Sequence, residues 1–261
     1  MKKLLLVVML LPSPFVWAQS PFDGTWKADL SKIKFPSKPD VYELKDGRYK
    51  CSTCVPTKID VLADGQDQKV TGNPYFDTLS VKVVDPKTIE IVAKKDSNVV
   101  GKEQDVVSED GSQFTSDWTG RNTPDSPEMS VKGVHTRVSK GPAGAHMISG
   151  SWRTEKATDA SESVVTITFK GIDNGMEMSQ PNGVSYSAKF DGKDYSYKGD
   201  PGTTAVSLKR IGDRQIQETD KDNGKVIVVA DMTISPDGRT MTTVVQDKRA
   251  GTTFTIVSDK Q

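Results

Sequence analysis

Short runs in which every second residue is apolar recur along almost the whole chain. In Val164-Val-Thr-Ile-Thr-Phe169 the alternation puts Val165, Ile167 and Phe169 on one face. It groups Val184, Tyr186, Ala188 and Phe190 in a second run, and Val226, Val228, Ala230, Met232 and Ile234 in a third. A period of two belongs to a strand with one buried face, and no segment sustains the 3.6-residue stripe of an amphipathic helix. Turn dipeptides punctuate the runs: Asp46-Gly47, Asp64-Gly65, Asp110-Gly111, Asn174-Gly175, Asn182-Gly183, Asp191-Gly192, Asn223-Gly224 and Asp237-Gly238. Such pairs accept positive φ and favour tight hairpins. The pattern predicts an all-β chain of antiparallel up-and-down meanders that close into barrels, with two packed sheets per module as the alternative.

The pattern is written twice. At a fixed offset of 127 positions, residues 63–117 match residues 190–244 at 14 of 55 positions without a gap, an order that chance identities do not produce. Gly24-Thr-Trp26 and Gly150-Ser-Trp152 each open a half at offset 126, and Thr136–Ser139 meets Thr255–Ser258 at offset 119. The shorter final offset places an insertion in the first half, at the proline-containing stretch Asn122–Glu128. Between the halves, Ser139 to His146 is rich in small residues and has no apolar pattern, as a domain boundary does. The predicted organisation is a leader over 1–18, a first module over 19–138, a linker over 139–147 and a second module over 148–261. Each module is expected to hold about eight to ten strands.

The leader is predicted from Lys2 and Lys3, the apolar run Leu4–Leu11, and small residues at Val16 and Ala18 before a cleavage point. These are the parts of a secretory signal peptide, and the apolar run is too short and too proline-broken to span a bilayer. Export to the periplasm or beyond is therefore expected. In an oxidising compartment a disulfide is the default reading of Cys51-Ser-Thr-Cys54. Reduced, inert thiols or a redox or metal role are the alternatives.

Charge and composition narrow the function. Lys+Arg and Asp+Glu each number 35, so nothing draws the chain electrostatically to nucleic acid or anionic lipid. Two histidines in all, with no nucleophile elbow, phosphate loop or zinc-protease motif, argue against catalysis and against a metal or other cofactor. His146 falls in the predicted linker, and His135 has no counterpart in the second module. A hydrophobic content of 34% suggests small cores or partly polar lumens.

Phe22-Asp-Gly-Thr-Trp-Lys27 and Ile148-Ser-Gly-Ser-Trp-Arg153 resemble the G-x-W opening of lipocalin-like (calycin-type) barrels. More narrowly, the chain is similar to poorly characterised exported bacterial proteins with lipocalin-like repeats, over essentially the whole length after the leader. The resemblance implies that Trp26 and Trp152 plug barrel ends, and that a basic residue of the last strand covers them. Arg137 takes that role for Trp26 in this reading, whereas the aligned residue of the second module is Ile256.

An eight-strand barrel has an interior that either fills with side chains or holds one small ligand. Tyr186, Phe190, Val228 and Met232 are expected to line an apolar pocket in the second module, with Trp118 a further candidate in the first. Glu103 and Asp105 stand where the second module has Ala230 and Met232; either they give the first module a polar lumen or, the favoured expectation, they face solvent, because charged groups are seldom buried unpaired. The leading expectation is an exported, noncatalytic tandem barrel that binds a small apolar or amphipathic molecule. The alternative is a cell-envelope interaction or structural module with filled barrels and a protein partner. No nucleic acid and no membrane span enter either reading, and oligomeric state is left open.

Overall fold

A computed structural model describes residues 20–261; the predicted leader lies outside the described residues. The first half contributes β1 (Gly24–Ala28), β2 (Asp40–Lys45), β3 (Arg48–Cys51), β4 (Ile59–Leu62) and β5 (Gln68–Lys69). It continues with β6 (Thr78–Asp85), β7 (Thr88–Lys95), β8 (Asn98–Val107), β9 (Gln113–Gly120) and β10 (Met129–Lys140). The second half holds β11 (Gly150–Ala160), β12 (Thr166–Ile172), β13 (Gly175–Ser179), β14 (Ser185–Lys189) and β15 (Tyr195–Lys198). It ends with β16 (Ala205–Gly212), β17 (Gln215–Asp222), β18 (Lys225–Ile234), β19 (Thr240–Asp247) and β20 (Thr252–Lys260). All pairings are antiparallel between neighbours in an up-and-down order, giving two ten-stranded sheets. One is a closed barrel; the other is nearly closed, its ends at β4 and β5.

The two sheets do not divide the chain where the sequence repeat does. β1 leaves its own half and pairs with β12 and β20 to close the C-terminal barrel. β11 in turn pairs with β10 and β2 and completes the N-terminal one. The exchange follows from the connection between the halves. Residues 141–149 are not a free linker but the loop of a long hairpin between β10 and β11. Once β11 is held there, the slot beside β12 and β20 is empty, and β1 fills it. After β1 a bridge between Lys34 and Thr255 still ties the chain to the C-terminal barrel, and β2 then enters the N-terminal sheet.

The same contacts fix both exchanged strands. Trp26 and Trp152 are fully buried, and their indole N–H groups donate to the carbonyls of Phe22 at 2.8 Å and Ile148 at 2.7 Å. The guanidinium of Arg137 lies 3.8 Å from the ring centre of Trp152, not over Trp26 as expected, because the exchange brings β11 beside β10. Trp26 is covered by Lys260, 5.1 Å from its ring centre. The second barrel therefore keeps a cation over its tryptophan. It sits at the residue paired with Trp26 in register rather than at Ile256. Arg137 also donates to Ser149 O and Met147 O, which clamps the hairpin loop. A glycine opens both strands because the backbone there takes φ of +121° at Gly24 and +136° at Gly150, and a Cβ on Gly150 would also lie 2.2 Å from Ser139 O.

Most strand faces follow the alternation, with one break. Asp220 pairs with Val228 and Lys221 with Val226, so Ile227 is the extra residue of a β-bulge. Ile227 is buried and Val226 is exposed, which splits the face predicted from Val226 to Ile234. Val100, at the equivalent bulge of β8, is buried in the same way.

Because β1 belongs to the C-terminal barrel, Trp26→Ala is expected to cost about 3–5 kcal/mol there. Hydrogen exchange should show protection lost first in β12 and β20, with β2 and β10 retained; Trp152→Ala should give the mirror image. Loss of protection in β2 for Trp26→Ala would contradict the exchange.

Candidate functional site

Each barrel has a partly open lumen lined by two carboxyl groups. In the N-terminal barrel these are Glu103 and Asp105, two residues apart on β8 and so on one face. They point inward, against the expectation that they face solvent: Asp105 is buried, and both line a cavity of about 210 Å³. In the C-terminal barrel the pair is Glu218 and Asp220 on β17, both buried and both lining a cavity of about 240 Å³. The two pairs do not align in the repeat. Glu218 and Asp220 correspond to Ile91 and Ala93, on the strand next to β8.

Burial governs the chemistry of both pairs. Loss of solvent pushes Glu103 up to about 7 and Asp105 well above the usual carboxylate range, with the neighbouring Glu103 charge raising Asp105 further. Asp220 is raised to about 9, first by burial and then by the charge of Glu218. Glu218 is raised by burial, against which hydrogen bonds from Tyr186 and Asp220 work. In each pair the charge of the glutamate adds to burial in raising the aspartic acid. One oxygen in each, Asp105 Oδ1 and Asp220 Oδ1, is buried without a hydrogen-bond partner.

The lumens differ in what surrounds the acids. The N-terminal cavity has an aromatic wall of Tyr42, Tyr49, Phe76 and Trp118. Glu103 is flanked across the sheet by Ile91 on β7 and Trp118 on β9. Gly120 leaves room for the Trp118 ring, since a Cβ there would lie 2.3 Å from its Cζ2. The rim is formed by the segment after β3, where Cys54, Val55 and Thr57 line the opening. Cys51 and Cys54 form a disulfide that ties this rim segment to the end of β3. The C-terminal cavity is lined mainly by aliphatic residues, methionines and threonines, among them Val228, Met232, Val245 and Ile256.

The sequence-predicted binding residues therefore separate. Val228 and Met232 line the C-terminal cavity, and Trp118 lines the N-terminal one. Tyr186 is buried in the C-terminal core, where its hydroxyl donates to Glu218 Oε2. Phe190 lines neither lumen; it is half-buried with Arg210 stacked 4.5 Å from its ring centre. His135 stacks on Phe114, 4.2 Å between ring centres, and is held neutral down to about 4 by burial. His146 receives Ile148 N–H at Nδ1 and donates from Nε2 to Asp85 O, so both histidines serve packing.

No known family model matches the chain, and no curated protein matches it.

The acids make stability depend on pH with a definite sign. An unfolded carboxyl titrates near 4, so between that value and the raised folded pKa the native chain holds more protons, and stability falls as pH rises. His135 acts oppositely, but only below about 6.5. Urea midpoints should therefore drop from pH 7 to pH 9. Asp220→Asn should flatten that drop and raise stability at pH 9 by more than about 1 kcal/mol. An unchanged slope in the variant would place Asp220 in solvent.

Proposed function

We propose that this chain is an exported, noncatalytic tandem barrel of lipocalin-like type whose N-terminal lumen binds a small amphipathic molecule. The single observation that carries the reading is the cavity of about 210 Å³ lined by an aromatic wall and by Asp105, one oxygen of which is buried without a hydrogen-bond partner. A buried, unpaired polar atom is unfavourable by about 1–3 kcal/mol, and a ligand donor placed in the cavity removes that penalty. An apolar enclosure with a few convergent polar groups is the usual form of a small-molecule site.

Other features support parts of the reading. The G-x-W strands under a cation favour the lipocalin-like assignment, and the Cys51–Cys54 disulfide favours an oxidising compartment. The cavities weigh against the envelope-interaction reading, which needs barrels filled by side chains. Both tyrosines and the tryptophan of the N-terminal wall stand on different strands, so a ligand there touches β2, β3 and β9 at once.

Trp118 reports on this site directly. A bound molecule should shift its emission, and Trp118→Leu should weaken binding by about tenfold, a loss of about 1.4 kcal/mol. Phe190→Ala should leave binding unchanged, since Phe190 is outside both lumens. The check is a fluorescence-monitored titration of the purified chain with a panel of small aromatic amines, alcohols and acids. Equal binding by the Trp118→Leu variant would remove the site from this lumen.

A further inference from the structure

The N-terminal lumen combines two features that favour one charge type. Four aromatic rings, Tyr42, Tyr49, Phe76 and Trp118, line it, and the faces of such rings carry negative partial charge that attracts cations. Glu103 and Asp105 stand on the same wall, and Asp105, 5% exposed, has a buried oxygen without a hydrogen-bond partner. Lys102 also borders the cavity but is exposed on the opposite face of β8 from the acids, so its charge remains in water. Taking the lumen-binding reading as its basis, we propose that this site selects a small organic cation, a primary or quaternary ammonium carried on an apolar body.

The ammonium would lie between the carboxyl pair and the aromatic wall, its apolar body against Phe76, Ile91 and Leu79 toward the rim. Its charge supplies what the protein omits. Among the described residues, no basic side chain pairs with Glu103 or Asp105. Burial leaves Glu103 near 7, so a cation arriving at neutral pH draws the pair toward ionisation rather than meeting a fixed charge. The C-terminal lumen lacks this combination. Its glutamate already accepts from the Tyr186 hydroxyl, and no aromatic ring lines its cavity. One chain is thus expected to carry one cation site.

Two probes of matched shape test this on the full chain at pH 7.5 by calorimetric titration. Benzylamine is a cation at that pH and benzyl alcohol is its neutral counterpart. Benzylamine should bind at least about tenfold more tightly. Glu103→Gln with Asp105→Asn should abolish the preference while leaving benzyl alcohol binding in place, which also shows that the variant is folded. Glu218→Gln should keep the preference. Equal or tighter binding of the alcohol would overturn the cation assignment and leave the lumen reading standing. Binding of neither probe would overturn both, and loss of the preference in Glu218→Gln alone would move the site to the other barrel.

Discussion

A tryptophan lies buried under a cation in each barrel, and the cation in each case comes from the residue paired with it in register on the neighbouring strand. Trp152 lies under Arg137 and Trp26 under Lys260, with the indole N–H of each satisfied by a carbonyl four residues earlier. The ring supplies apolar burial, the N–H is paired, and the cation covers the remaining face without being stripped fully of water. Glycines at 24 and 150 are needed because each strand starts at a positive φ, and at Gly150 the Ser139 carbonyl fills the space a Cβ would take. Everything else in the sheets follows from short hairpins. These two strands are the ones placed by long-range choice.

Much of this was legible in the chain, for identifiable reasons. Hairpins announce themselves locally: Asp46-Gly47 and Asn223-Gly224 take positive φ at both positions, the geometry that their side chains permit. The two-fold repeat is also local information, and it recurs in structure down to the ion pairs Lys94–Asp67 and Lys221–Asp194 at equivalent positions. The choice of partner for β1 is not local. Gly24-Thr-Trp26 and Gly150-Ser-Trp152 are near copies, so either strand suits either slot, and the loop between β10 and β11 decides. Bulges are equally hidden, because Ile227 and Val226 are both apolar and only the register tells which one turns in.

The acidic pairs were misread for a sound reason that failed here. Charged residues are seldom buried without partners, and Glu103 and Asp105 have none. The available signal was the spacing. Glu103-Gln-Asp105 and Glu218-Thr-Asp220 each put two acids on the inward face of one strand. Because the two copies fall on neighbouring strands rather than at aligned positions, comparing the halves position by position conceals what they share. Chemically the lumens agree in two carboxyls and in nearby phenols, Tyr42 and Tyr49 in one and Tyr186 and Tyr197 in the other. They differ in whether those phenols close on the acids or leave them open to the cavity.

The pairing of Trp26 with Lys260 also dictates an order of events during synthesis. An early strand, β1, must wait for β20, since closure of the C-terminal barrel pairs the two. The N-terminal sheet can mature as soon as β11 has emerged, but β1 then hangs from it without a partner. Long sequence separation slows such closure and leaves an apolar strand exposed meanwhile. The timing of folding, rather than its endpoint, is therefore the demanding part of building this molecule.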